Sequence, residues 1–181
     1  GAEPRTLGPE DSDTAILFVH GFVGSGNNFW EVPDRLAANG YRVRVMLHAG
    51  HGTTPEDFAQ TPSDALLEHT LEEVRALKQD YDKVILVGHS MGGALATIAA
   101  SMEEVDGLVL GAPYFGVTHQ WYYILPVETW NRITSPVIRR VYKGNAFIRV
   151  KRPEAKSQIM SYRWIPTEGS RTLMRIGKQA K

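Results

Sequence analysis

The feature that most constrains the fold is a strand, a glycine-rich turn and a helix that follow one another within residues 83–100. Residues 84–87 (VILV) form an apolar run of the length typical of a strand buried on both faces. The turn GHSMGG at residues 88–93 leads into an alanine-rich run of helical length. The pattern therefore predicts a nucleophile elbow of the G-x-S-x-G type, which would expose the hydroxyl of Ser90.

Small residues around the serine support this prediction. A strand that becomes a helix within two residues needs close backbone contacts, and Gly88, Gly92 and Gly93 remove the Cβ atoms that would clash there. A glycine-rich turn with an idle serine is the alternative interpretation. The strand before the turn and the helix after it favour the elbow.

Strand and helix patterns alternate over residues 14–112, after a polar start that predicts loop or one short edge strand. Apolar or alternating runs predict strands at residues 14–19, 41–47, 84–87 and 107–111. Helices are predicted from Asn27 or Asn28 to Asn39, from Pro62 behind an N-cap at Thr61, and after Ser90. The order predicts an open, doubly wound and mostly parallel α/β sheet.

Ligands of such sheets bind beyond the carboxyl ends of the strands, where His20-Gly21-Phe22 and Ser90 both fall. An attacking serine needs N–H donors for the developing oxyanion. The backbone N–H of Met91, at a helix start, and that of Phe22 are the candidate donors. We expect His20 to brace its loop and Gly21 to let the backbone approach the substrate.

Charge divides the chain near residue 112. Residues 1–112 hold seven Lys and Arg against 17 Asp and Glu, whereas residues 113–181 hold 13 against three. We predict a core at 1–112 and a helical cap at 113–181. The favoured interpretation is a basic flap lying on an acidic core, and the alternative is attraction to anionic lipid or substrate. Aromatic residues of the cap are expected to pack on the core or line an acyl pocket: Trp121, Tyr122, Tyr123 and Trp130.

Composition excludes several classes of site. The chain has no cysteine, which rules out disulfides and thiolate metal sites. No apolar run approaches the length of a bilayer span and no signal-peptide pattern opens the chain, so a cytoplasmic location is expected, with export left open. Nothing predicts a metal ion, an organic cofactor or a nucleic-acid partner.

Three motifs together resemble the α/β-hydrolase family, and within it compact carboxylesterases and monoacylglycerol lipases. They are HGF at residues 20–22, HAGHG at 48–52 and GHSMGG at 88–93. The resemblance implies an α/β-hydrolase fold with a helical cap, and an ester bond attacked by Ser90 to give an acyl-enzyme. His89 is placed beside the nucleophile as a supporting residue, its side chain directed away from the hydroxyl.

The family places its acid and its histidine after the cap, in the order Ser, Asp or Glu, His. In this sequence no Asp or Glu stands out as the acid, and no histidine stands out as the base. His20 and His51 belong to loop motifs, and His48 lacks an orienting acid. His69 belongs to a surface helix, which leaves His119 in the cap as the least excluded histidine. We therefore expect a segment beyond Lys181, or a second chain, to supply both groups. The alternatives are a truncated form and a relative that binds without turnover.

The sequence thus predicts a serine hydrolase of carboxylic esters, with short or medium acyl esters or monoglycerides as substrates. A peptidase or amide hydrolase on the same fold, and a catalytically silent module that binds a small apolar ligand, stay open as alternatives. A sheet ending with the strand at 107–111 would expose an edge, so a complementing strand is expected there. Contact of the basic cap with membranes is also left open.

Overall fold

The computed structural model describes residues 2–120, 124–143 and 160–181. Its main sheet has five strands, in the spatial order β1, β3, β2, β4, β5. They are β1 (Arg5–Leu7), β2 (Thr14–Val19), β3 (Arg42–Val45), β4 (Lys83–His89) and β5 (Gly107–Gly111). Strand β1 runs antiparallel to β3, and every other pair is parallel. The predicted mostly parallel sheet is confirmed, and the polar start of the chain supplies its short edge strand.

The register of the two central strands brings the predicted site together. All six residues of β2 are buried, as its uninterrupted apolar run predicts for a strand covered on both faces. In the pairing of β2 with β4, Val19 lies opposite Gly88. The His20-Gly21 loop and the turn at Ser90 therefore leave the sheet side by side.

Helices cover both faces of the sheet. They are α1 (Val32–Ala38), α2 (Pro55–Gln60), α3 (Ser63–Asp80), α4 (Met91–Met102), α5 (Val127–Thr134) and α6 (Thr167–Gln179). One buried cluster joins Leu17 and Leu86 to apolar residues of α3, α4 and α6. A second cluster, around Phe18 and Val43, packs against α1 on the opposite face. This arrangement is the doubly wound α/β fold.

Two helix predictions need correction. The helix expected up to Asn39 is split into a 3-10 turn (Gly26–Phe29) and α1, because Trp30 has a φ of 55°, which no right-handed helix accommodates. Helix α3 begins at Ser63 with Pro62 as its N-cap, whereas Thr61 ends α2. Helix α2 itself was not predicted.

The segment after residue 112 also departs from the prediction of helices alone. Strands β6 (Arg140–Tyr142) and β7 (Trp164–Pro166) form a small antiparallel sheet. Helix α6 packs into the main core, where Ile176 is buried. The boundary at residue 112 stays a prediction. The aromatic residues expected to line a pocket at positions 121–123 lie outside the described residues, and Trp130 is 44% exposed.

Strand β5 has a free outer edge in the described part of the chain, since it pairs with β4 alone. Its apolar side chains Leu108, Val109 and Leu110 are 38%, 55% and 37% exposed. Such an edge is a template for pairing with another strand. Among the helices described here, none has the length and apolar content to cross a bilayer.

Candidate active site

Ser90 occupies a sharp turn between the end of β4 and the start of α4. Its backbone has φ 55° and ψ −117°, a conformation that costs free energy for any residue with a side chain. Four backbone hydrogen bonds hold it there. The Ser90 N–H donates to the Gly111 oxygen over 3.0 Å, and the Ser90 oxygen accepts from the amides of Gly93, Ala94 and Tyr114 at 3.0, 3.2 and 2.9 Å. The elbow geometry predicted from the glycine pattern is therefore present.

The contacts around the turn explain its glycines. A Cβ on Gly88 would lie 2.6 Å from the Gly92 oxygen, and one on Gly92 would lie 2.5 Å from the His20 oxygen and closer still to the oxygen of Val19. Real Cβ atoms do not approach backbone so closely. Helix α4 can begin directly against the end of β2 only because these side chains are absent.

The loop after β2 contacts the elbow directly. A Cβ on Gly21 would lie 3.2 Å from the Ser90 Cβ and 3.2 Å from Nδ1 of His89. The backbone amides of Phe22 and Met91 donate no hydrogen bond to any described residue. Both are thus available beside the serine, as donors to an oxyanion require. Their assignment as oxyanion donors stays a prediction.

His20 lies beneath this loop and is fully buried. Its Nε2 accepts a hydrogen bond from the backbone N–H of His48 at 3.1 Å, so Nδ1 carries the proton and donates to the Gly21 oxygen at 2.9 Å. Burial, aided by nearby His51, lowers the pKa of His20 to about 3. Near neutral pH an uncharged imidazole therefore joins two loops by hydrogen bonds. The bracing role of His20 in the site stays a prediction.

His20 belongs to a cluster of three histidine rings. Its ring centroid lies 4.4 Å from that of His48 and 5.0 Å from that of His51. Nε2 of His48 donates to the His20 oxygen at 3.1 Å, and Nδ1 of His51 donates to the Ala49 oxygen at 3.1 Å. Burial lowers the pKa of His51 to about 4 and holds that of His48 well below its usual value. The sequence did not indicate that His48 lies against His20, because the two residues are 28 positions apart.

No acid–base pair accompanies the serine among the residues described. The Ser90 hydroxyl makes no hydrogen bond to any of them, and His20, His48 and His51 use their ring N–H groups on backbone oxygens. His89 is exposed beside the elbow, and partial burial lowers its pKa. His69, on α3, has its Nε2 3.8 Å from a Glu73 carboxylate oxygen. No group of three potential metal ligands is found in the described ranges.

Tyr162, in the predicted cap segment, forms hydrogen bonds with both the loop after β2 and the loop after β3. The Tyr162 hydroxyl donates to the Gly50 oxygen at 2.8 Å and accepts from the Thr53 N–H at 3.1 Å. The Tyr162 amide donates to the Val23 oxygen at 3.0 Å. Val23 itself has a φ of 51° and directly follows Phe22. No sequence signal identified Tyr162, because its partners lie more than 100 residues away.

Known proteins with similar sequences are hydrolases. The Hydrolase_4 family, described as serine aminopeptidase, S33, matches residues 10–165. A thermostable monoacylglycerol lipase of Bacillus sp. (strain H-257) is 32% identical over 110 residues, which are 60% of this chain and 43% of the lipase. A proline iminopeptidase of Lactobacillus delbrueckii subsp. bulgaricus is 35% identical over 108 residues, 58% of this chain and 36% of the peptidase.

Solved structures agree on the fold. A solved structure from work on two metagenome-derived lipolytic enzymes, LipS and LipT, superposes on this chain with a TM-score of 0.83 at 24% sequence identity. The match covers 99% of this chain and 69% of that one. The chain spans less than half the length of the two curated relatives above. The family match covers most of the present sequence and includes the Ser90 turn and both histidine motifs. This chain therefore belongs to the Hydrolase_4 family of α/β hydrolases, described as serine aminopeptidase, S33.

Proposed function

We propose that this chain is the nucleophile-bearing part of a carboxylic-ester hydrolase, with Ser90 as the attacking residue. The observation that carries the proposal is the position of Ser90, which is held at a φ of 55° against Gly21. Among the described residues no acceptor pairs with the backbone amides of Phe22, in the loop that contacts the elbow, or of Met91, the residue after Ser90. Backbone strain of this kind persists where surrounding structure enforces it, and it is typical of functional sites.

In the proposed reaction the Ser90 oxygen attacks the ester carbonyl carbon while a base takes its proton. The carbonyl oxygen becomes an oxyanion and accepts hydrogen bonds from the N–H groups of Phe22 and Met91. Each such donor is worth about 10²–10³ in rate. The alcohol then leaves with a proton, which gives an acyl-enzyme, and water releases the acid and restores the serine hydroxyl.

The acid and the histidine are proposed to come from a segment beyond Lys181 or from a second chain. Two observations support this. The Ser90 hydroxyl has no partner in the parts of the chain that are described, and β5 offers a free edge with three exposed apolar side chains. We propose that the complement adds a parallel strand beside β5 and brings its histidine within hydrogen-bond reach of Ser90.

Short or medium acyl esters and monoglycerides are the proposed substrates, and the likeness to a monoacylglycerol lipase supports this class. The second candidate is a peptidase, since the family description and the Lactobacillus relative both name peptidases. The same nucleophile and the same oxyanion donors would act on an ester or on an amide. Which of the two is the substrate depends on the leaving group and on the acyl pocket.

The test compares p-nitrophenyl esters of rising chain length with prolyl and leucyl anilides, using the chain together with its complement. We expect ester turnover that exceeds anilide turnover and is abolished by Ser90→Ala. Ser101→Ala, on the same helix with its hydroxyl bonded to the Ile98 oxygen, is the matched control and should retain activity. Faster anilide turnover would favour the peptidase, and no turnover of either class would favour a silent binding module.

A further inference from the structure

A small cavity is lined by the loop after β2, the loop after β3 and the segment that leads into β7. Its walls come from residues 23–25, 52–53 and 160–163, with Ala2 at one side. The cavity has a volume of about 300 Å³, which lies at the lower end of the range for pockets that hold small molecules. It can therefore accept a small ligand or one substituent of a larger ligand.

The charge of the lining favours an anion. Among the described residues, Arg163 is the one charged side chain that lines the cavity, and no Asp or Glu lines it. Arg163 is exposed, and its guanidinium forms no ion pair with a described residue. A guanidinium group binds a carboxylate or a phosphate through two parallel N–H donors. The cavity thus offers an unused cation at its exposed rim.

The hydroxyl of Ser25 is a second, independent sign of a ligand. Ser25 lines the cavity and is 2% exposed, and its Oγ is buried without a hydrogen-bond partner among the described residues. Although Ser25 is the N-cap of the 3-10 turn, its side chain makes no capping hydrogen bond. Buried hydroxyl groups in folded proteins are nearly always paired. A ligand oxygen in the cavity would accept the hydrogen bond that this hydroxyl can donate.

Hydrogen bonds hold the walls of the cavity in place. The Tyr162 hydroxyl bonds to Gly50 and Thr53 in one loop, and the Tyr162 amide donates to the Val23 oxygen in the other. A site whose walls are already fixed loses little conformational freedom when a ligand enters. The cavity is therefore preorganised for binding.

The cavity also adjoins the proposed oxyanion donor. Val23, in its lining, directly follows Phe22, so the Cα atoms of the two residues are about 3.8 Å apart. The Gly24 amide donates to the Gly21 oxygen at 3.1 Å, which closes a tight turn with these two residues at its corners. A ligand in the cavity would contact the same turn that offers its amide to the ester carbonyl.

We propose that this cavity binds the carboxylate or phosphate group of a small molecule, through the Arg163 guanidinium and the Ser25 hydroxyl. The inference rests on the proposed function and narrows it, because the acidic group then belongs to the ester that is cleaved. Among acyl esters, those that carry an acidic substituent are the preferred substrates.

The first measurement is calorimetric titration of the Ser90→Ala chain, in which the proposed nucleophile is absent. The probes are monomethyl glutarate, which carries one carboxylate, and dimethyl glutarate, its neutral counterpart. We expect the acid to bind at least about tenfold more tightly than the diester. Glycerol 3-phosphate against glycerol tests the phosphate group in the same way, and the pair with the larger difference identifies the preferred anion.

Variants separate the cavity from the general charge of the surface. Arg163→Gln keeps a polar side chain without the charge, so it should bring the acidic and neutral probes to within about twofold of each other. Arg175→Gln, at an exposed position of α6 outside the cavity, is the matched control and should keep the preference.

The serine is tested in the same way. Ser25→Ala should weaken binding of the acid by about threefold to fivefold, because one hydrogen bond is lost. Ser101→Ala, whose hydroxyl is bonded to the Ile98 oxygen, should not weaken it. Circular dichroism and the melting temperature establish that each variant is folded.

The second measurement concerns turnover by the chain together with its complement. It compares p-nitrophenyl hemiglutarate with p-nitrophenyl valerate, a neutral ester of similar length. The ratio of the two kcat/KM values, acidic over neutral, should fall by about tenfold in Arg163→Gln and should be unchanged in Arg175→Gln.

Equal binding of the acidic and neutral probes in both pairs, or a preference that Arg163→Gln retains, would overturn the inference. So would a preference that Arg175→Gln lowers as much as Arg163→Gln does. Neutral-ester turnover without tighter binding of either acid would overturn the inference and leave the proposed function standing. Binding of an acid without turnover of either ester would support the cavity and contradict the proposed function alone.

Discussion

The hydroxyl of Tyr162 donates a hydrogen bond to the backbone oxygen of Gly50 over 2.8 Å, although the two residues lie 112 positions apart. The ring of Tyr162 also stacks on His51, with an angle of 19° between the planes and 6.2 Å between the centroids. His51 in turn contacts Phe58, whose ring meets that of Phe22 at 5.3 Å. Tyr162, within the predicted cap segment, thus supports the loop that carries the Phe22 amide.

The first prediction concerns this tether. Tyr162→Phe removes a donor to Gly50 and an acceptor for Thr53 while it keeps the ring, so we expect the free energy of unfolding to fall by about 1–2 kcal/mol. Tyr41→Phe, at a 38% exposed position, is the control and should change stability by less than about 0.5 kcal/mol. Urea denaturation measures both. Equal stability of the two variants would contradict the tether.

The second prediction concerns the close contact behind the elbow. Gly92→Ala would place a Cβ against the oxygens of Val19 and His20, so it should destabilise the chain by about 3 kcal/mol or more, or prevent folding. Gly107→Ala is the matched control, because a Cβ there meets the nearest atom of Ile85 at an ordinary 3.4 Å. Thermal melts compare the two variants. A Gly92→Ala variant as stable as Gly107→Ala would contradict the contacts described.

The third prediction concerns pH and the histidine cluster. In the folded chain the pKa values of His20 and His51 are lowered to about 3 and about 4, mainly by burial, from an ordinary value of 6.5. The unfolded chain therefore binds more protons at acid pH. Stability should be constant above about pH 6.5 and fall as the pH drops toward 4, by up to about 1.4 kcal/mol per pH unit for each histidine.

Variants identify the source of this pH dependence. His51→Asn keeps a donor for the Ala49 oxygen, and it should reduce the proton uptake on unfolding between pH 4 and 6 by about one. His69→Gln, on the partly exposed face of α3, should retain the steep slope. The readout is the free energy of unfolding at each pH. A slope that His51→Asn leaves intact would show that other groups cause the acid sensitivity.

The fourth prediction concerns the free edge of the sheet. In the described part of the chain β5 pairs with β4 alone and leaves Val109 55% exposed, so the isolated chain should self-associate at micromolar concentrations. Val109→Lys should suppress this association, since a charged side chain on an edge strand opposes pairing. Val32→Lys, at a similarly exposed position on α1, should not. Light scattering distinguishes the outcomes, and a monodisperse wild-type chain would contradict this prediction.

Much of the core could be predicted because its signals are local. The run at 84–87, the glycines around Ser90 and the buried run of β2 each fix a short segment, and all three agree with the structure. Helix α2 was missed in a loop-like segment rich in glycine and threonine. Its capping box, in which Thr54 and Asp57 bond each other's backbone, and Pro55 at its first turn were legible signals.

The parts that could not be predicted depend on contacts between distant residues. Trp30 adopts a positive φ that its residue type does not favour, and this splits the helix expected at its position. The contact between His20 and His48 depends on the register of the strands, and the hydrogen bonds of Tyr162 depend on how the cap segment packs on the loops. Neither set of contacts produces a periodic pattern in the sequence.

The central claim is that Ser90 is a nucleophile, and fluorophosphonate labelling tests it most directly. Intact-mass spectrometry followed by peptide mapping should find one covalent adduct on Ser90 when the chain is combined with its complement, and none in the Ser90→Ala variant. Labelling should depend on the complement, because the proposed base lies outside the described residues. An adduct on another residue, or an unlabelled Ser90 with the complement bound, would contradict the account.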